Sequence, residues 1–149
     1  MVKKARSMSG YRFLSNIAIA DVAFVVRADT LPRMFESAAR ALTAVMVDRD
    51  TVSPRVERRV ELGPASIDIL LYDFLTQLIV MKDVDSLLFK DFRVSIGSGS
   101  NPKLTCVMRG EAIDREKHRL RNDVKAVTMH MFGVKKKEGR WTATVVLDI

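Results

Sequence analysis

The sequence has one cysteine, two histidines and four prolines, and each shortage removes a class of architecture or chemistry. A lone Cys106 cannot build an internal disulfide framework, and with only His118 and His130 beside it there is no histidine and cysteine set for a structural zinc. Cys106 therefore reads as a small core residue. No apolar run approaches the roughly 18 to 20 residues that a membrane span needs. The N-terminus lacks the basic, then apolar, then small-residue layout of a signal peptide, so the expected location is the cytoplasm, away from membranes. Phosphate-binding glycine loops and a nucleophile elbow are also missing. Ser98 and Ser100 sit in a Gly-Ser-rich stretch (GSGSNP) without a base near them in sequence, which reads as a flexible hairpin tip. No catalytic residue is expected, and the chain is not read as an enzyme.

What is present is an ordinary globular composition, 48% hydrophobic and 29% charged over 149 residues, consistent with one domain spanning residues 1–149. Residues 1–10 read as a basic, flexible lead. The net charge of +7 and pI near 9.9 raise nucleic acid as a partner. Much of the excess lies in Lys3, Lys4, Arg6 and Arg12 and in Lys135, Lys136 and Lys137, read as a turn. No RGG tract, exposed aromatic platform or helix-turn-helix pattern accompanies them. Solvated surface is the first reading and contact with RNA or another acidic partner the second.

Along the chain, Tyr11 to Val26 (YRFLSNIAIADVAFVV) is an extended apolar run without proline or glycine and reads as one buried strand. Asp21 is the only charge between Leu14 and Val26, and a carboxylate in such a run is protonated, paired, at an edge or on a metal. Thr30 offers an N-cap to a helix running to about Val47, with Met34, Phe35, Ala38, Leu42 and Val45 at helical spacing. Pro32 falls in its first turn, where backbone donors are unpaired anyway. Arg55 to Leu62 reads as a strand with one wet face. Beyond Gly63 and Pro64, Ser66 can cap a second helix carrying Ile67, Leu70, Leu71, Phe74, Leu75 and Leu78. Leu87 to Ile96 and Lys103 to Arg109 form a hairpin around the glycine-serine loop, Glu111 to Arg121 is irregular, and Val124 to Val134 is a further strand. His118 reads as solvated and His130 as a structural histidine. The expected class is α+β, largely antiparallel sheet packed with two main helices.

The last ten residues (RWTATVVLDI) alternate, with Trp141, Ala143, Val145, Leu147 and Ile149 on one face and Thr142, Thr144, Val146 and Asp148 on the other. So apolar an end should be tied into a sheet. That fixes two negative groups side by side, the Asp148 side chain and the Ile149 α-carboxylate, where either solvent reaches them or a cation sits on them.

Four segments together resemble the archease family: Ala20 to Val22 (ADV) ahead of Thr30 and Leu31, Arg109 to His118 (RGEAIDREKH), Asp123 to His130 (DVKAVTMH), and the terminal VVLDI. The resemblance spans nearly the whole chain. It implies a non-enzymatic accessory protein that activates the RtcB-type tRNA-splicing ligase, promoting its guanylylation and multiple turnover and broadening its nucleotide use. The contact with tRNA is then indirect, through the ligase. The resemblance further implies a divalent cation, Ca²⁺ first and Mg²⁺ or Mn²⁺ next, held by Asp21, Asp148 and Ile149. All-oxygen ligation suits such hard cations. Two departures stand out: many members carry His-Thr where this chain has Ala18 and Ile19, and Met129 stands where a tyrosine is common. The alternative is an RNA-binding or chaperone-like module acting on tRNA directly.

Overall fold

The protein is described by a computed structural model over residues 9–15 and 21–149. Seven strands, β1 (Ser9–Leu14), β2 (Asp21–Ala28), β3 (Val56–Leu62), β4 (Leu87–Ile96), β5 (Leu104–Ala112), β6 (Ala126–Lys137) and β7 (Arg140–Asp148), form two antiparallel sheets. One sheet has the order β1-β2-β7-β6 and the other β3-β5-β4. Among the described residues two α-helices, α1 (Leu31–Met46) and α2 (Ile67–Asp85), lie between them. The first packs on β4, β2 and β1, and the second on β6, β4 and β3. The expected α+β class holds.

The sandwiched position of α1 explains why its burial exceeds a single amphipathic stripe. Met34, Phe35, Ala38, Leu42, Val45 and Met46 are buried, and so are Ser37, Ala39, Ala41 and Thr43 on the remaining surface. Small residues there let the second sheet approach, and the buried Thr43 hydroxyl donates to the Phe89 carbonyl of β4 at 3.2 Å. Thr30 caps this helix by accepting from the Arg33 N–H at 3.3 Å. Ser66 makes no side-chain cap, contrary to expectation, and α2 runs past Leu78 to Asp85, ending on a left-handed Ser86.

Three further expectations are corrected. The Tyr11–Val26 run is not one strand but contains two antiparallel neighbours, β1 and β2. Fully extended, its sixteen residues would reach about 50 Å, more than twice the roughly 17–20 Å of a usual strand, and the antiparallel pairing folds it back on itself. Ser9 and Gly10, assigned to the basic lead, already belong to β1. Lys135, Lys136 and Lys137 are not a turn but the end of β6, and the turn is Glu138–Gly139. The positions of Ile17, Ala18 and Ile19 lie outside the described residues.

Gly110 is fixed by packing: a Cβ there would lie 1.8 Å from the Leu88 carbonyl oxygen of β4. Immediately after it, Glu111 pins the irregular β5–β6 connection. His118, expected in solvent, is 4% exposed, and its Nε2 lies 2.7 Å from the Glu111 carboxylate. Because its Nδ1 accepts the Asp114 N–H at 2.9 Å, Nε2 carries the proton and donates to Glu111. Lys117 Nζ and the Ser53 N–H also donate to it, at 3.0 and 2.9 Å, and Arg55 Nε forms an ion pair with it at 3.4 Å. Burial pushes the Glu111 carboxyl upward, but the hydrogen bonds from Lys117, His118 and Ser53 outweigh it and hold the pKa at about 2. A depressed carboxylate stabilises the fold above its unfolded pKa, and that contribution is lost as pH falls toward the folded value. Glu111→Gln should therefore lower stability by about 1–3 kcal/mol at neutral pH. The gap to wild type should close between pH 4.5 and about 2 in denaturant titrations.

Candidate functional site

Burial of one face of β2 and β7 determines where their carboxylates fall. Val22, Phe24 and Val26 pair across the ladder with Leu147, Val145 and Ala143 and turn toward the helices. The opposite parity places Ala23 beside Val146, and at the end of the ladder Asp21 stands directly opposite Asp148. On the other side of Asp148, β6 contributes Ala126, with no charge to offset the pair. Like charges in a direct cross-strand pair destabilise a sheet. Among the described residues neither side chain has an ion-pair partner.

Ile149 follows Asp148 immediately and packs partly buried against the core, so its main chain lies at the same end of the sheet. Among the described residues no three His, Cys, Asp or Glu side chains gather in a metal-binding arrangement. The expected set contains two such side chains and a main-chain group. Its donors are all hard oxygens, which fit a Ca²⁺ or Mg²⁺ ion and no soft metal.

The chain beside this pair is firmly held. The Lys125 N–H donates to the Asp148 carbonyl at 2.8 Å. Just before it, the buried Lys82 of α2 donates to the Val124 carbonyl at 3.0 Å and pairs with Asp123 and, at 2.8 Å, Asp83. Burial alone would lower the Lys82 pKa, but the hydrogen bonds to Asp123 and Asp83 raise it, so the ammonium stays charged. The Arg121 and Asn122 N–H groups cap the last turn of α1 by donating to the carbonyls of Met46 and Val45 at 2.8 and 3.1 Å. One segment thus joins the C-terminal ends of both helices to the end of β7. Lys82 was not singled out from sequence, and Asp123 to Lys125 stood out only as the start of the resemblance-bearing run DVKAVTMH; a lysine on an otherwise apolar helix face was the available signal.

Beside it, β6 is an edge strand with a large bulge. Thr128 pairs with Val146 and Gly133 with Thr144, so Met129 to Phe132 stand opposite Val145 alone. Phe132 returns to pack edge-on against Tyr72 of α2 at 5.8 Å. Met129 and Met131 project into solvent, 63% and 47% exposed, with Met131 in the left-handed region at φ 56°. His130 lies between them and is exposed, so the reading of a structural histidine fails: the bulge carries it off the sheet.

The Archease protein family (MTH1598/TM1083) matches residues 11–149. The archease of Thermococcus gammatolerans is 39% identical over 132 residues, covering 87% of this chain and 93% of that protein. That of Methanothermobacter thermautotrophicus is 37% identical over 143 residues, covering 95% and 100%. Among solved structures, protein 1598 of Methanobacterium thermoautotrophicum superposes with a TM-score of 0.81 at 36% identity, over 94% of this chain and 99% of that one. The crystal structure of a Thermotoga maritima protein described as an archease, possible chaperone, shares the fold with a TM-score of 0.60 at 15% identity, over 93% and 98%. With the match running through both carboxylate-bearing strands and through nearly the whole sequence, the chain belongs to the archease family.

Proposed function

We propose that this archease is a non-enzymatic, metal-dependent activator of an RtcB-type RNA ligase, acting in tRNA splicing and RNA repair in the cytoplasm. In this reading it promotes guanylylation of the ligase, sustains multiple turnover and broadens the nucleotide it accepts. The observation that carries the proposal is the Asp21–Asp148 cross-strand pair. Two carboxylates held together by register, at the end of a rigid sheet and beside a third carboxylate on Ile149, create a site whose repulsion a divalent cation relieves. Asp21, Asp148 and Ile149 would hold that ion. When bound, the ion supplies positive charge that a phosphate or a partner's carboxylate can share.

The chain's own contribution is positional. Lys82 and the Lys125 N–H keep the end of β7 in place, and the exposed Met129 and Met131 offer adaptable apolar contact beside it. Activation then arises in the ligase, through protein contact at this end of the sheet. RtcB-type ligase is the proposed partner, with tRNA reached through it.

Two experiments test this reading. In a guanylylation time course with α-labelled GTP and substoichiometric archease, Asp21→Ala and Asp148→Ala should remain folded yet lose most of the stimulation. Arg59→Ala, on the other sheet, should keep it. Folded aspartate variants that stimulate like wild type would make the pair structural and move the activating surface elsewhere.

The second test is calorimetric. Extending the chain beyond Ile149 turns its carboxylate into a neutral amide, so Ca²⁺ affinity should fall at least about tenfold, the scale on which even outer-shell changes weaken metal sites. Saturating Ca²⁺ should raise the melting temperature of the unextended protein, by about 2.7 kcal/mol of stability at a hundredfold excess over Kd, and chelator should reverse it. Equal affinity with and without the extension would remove Ile149 from the ligand set.

A further inference from the structure

The outer face of the four-stranded sheet changes sign along its length. At one end stand Asp21 and Asp148; in the middle Ala23 and Val146 are buried opposite one another. At the other end the register brings Arg27 and Lys135 to either side of Thr142, and Arg12 lies one row nearer the middle, in the row of Val25 and Thr144. Lys136, Lys137 and Arg140 close the adjoining hairpin. Arg12, Arg27, Lys135, Lys137 and Arg140 therefore share this end of the outer face, Lys136 falling on the other face with Trp141, against two carboxylates in the adjoining turns, Asp29 and Glu138. Asp29 is engaged by Arg140 at 3.5 Å, while Lys136 lies over the Trp141 ring. Arg12, Arg27, Lys135 and Lys137 have no ion pair among the described residues. The outer face of the second sheet is different: Arg109 is flanked by Glu57 and Asp91, and Arg59 pairs with Glu61, so its charges balance.

We infer that the basic end of the four-stranded sheet binds the phosphate backbone of single-stranded RNA. Unpaired cations side by side on a flat, rigid surface suit a regularly charged polyanion, and the hydroxyls of Thr142 and Thr144 between them are phosphate donors. Tyr11 and Phe13, which flank Arg12 on the same edge strand, belong to the other, helix-facing side, where they pair with Val26 and Phe24 and the Phe13 ring packs edge-on against Phe24 at 6.0 Å, so the outer face offers charge and hydroxyls rather than rings. The basic end lies roughly 20 Å along β7 from the carboxylate pair, so RNA held there leaves the acidic end free.

The test uses a fluorescein-labelled 20-nucleotide RNA and anisotropy, with no ligase and with chelator present, so that its failure does not bear on the activation reading. Wild type should bind at low salt, and the triple variant Arg27→Ala, Lys135→Ala, Lys137→Ala should lose at least about tenfold in affinity. Its dependence of log K on log salt should flatten by about 2, the sum of three phosphate contacts on a single strand. The matched triple Arg59→Ala, Arg93→Ala, Lys103→Ala removes equal charge from the other sheet and should bind like wild type. Equal loss in both triples, an unchanged first triple, or no binding by wild type would each overturn the inference; unchanged melting temperatures confirm that all variants are folded.

Discussion

Everything at the candidate site depends on the pairing of β2 with β7. Side chains along a strand alternate strictly, so burying Phe24 against Val145 and Val22 against Leu147 leaves no freedom in what faces outward. A slip of one residue would carry those apolar groups into water and the carboxylates into the core. At about 1.5–3 kcal/mol for each large apolar side chain, the inward face outweighs the repulsion of one outward pair. Asp21 and Asp148 are thus held together by the core behind them.

The same logic shows why the pair was only half legible in the sequence. Each carboxylate stands out locally, Asp21 as the sole charge in an apolar run and Asp148 at the end of an alternating strand. Their meeting is a matter of register between strands at opposite ends of the chain, and periodicity carries no information about register. The family resemblance supplied the juxtaposition; the ladder places the two aspartates opposite one another. Helices and most strands were legible because their spacing is a local signal. Irregular segments were not: the polar letters around His118 are those of a solvated loop, yet Glu111 and the Asp114 N–H give both ring nitrogens a partner and draw the side chain inside. The bulge in β6 was equally hidden, since its residues continue the apolar pattern of the strand while the chain leaves the ladder.

Two polar pins hold the β5–β6 connection at either side. Glu111 anchors its start through His118, Lys117 and the Ser53 N–H; Lys82 anchors its finish through Asp123 and Val124. Between them, backbone donors of Arg121 and Asn122 satisfy the last carbonyls of α1. An otherwise irregular stretch is therefore tied at several points, and its last hydrogen bond, Lys125 N–H to the Asp148 carbonyl, ends at the carboxylate pair. Such support fixes where the two carboxylates point, and in a binding site a group displaced by even 1 Å loses much of its effect.

Charge along the outer face then acquires a physical meaning. A net charge of +7 spread evenly would give a weak, featureless attraction for any polyanion. Here the two acids gather at one end and Arg12, Arg27, Lys135 and Lys137 toward the other, so the sheet carries a dipole along its strands. At physiological ionic strength fields decay over about 8 Å, less than half the separation of the ends, so each end is sensed independently by what approaches it. A polyanion is attracted to one end without being repelled by the other, and a cation or a basic partner meets the carboxylates without facing the lysines. Segregation of charge along a rigid sheet thus keeps apart two binding chemistries that a uniformly basic surface of equal net charge would merge.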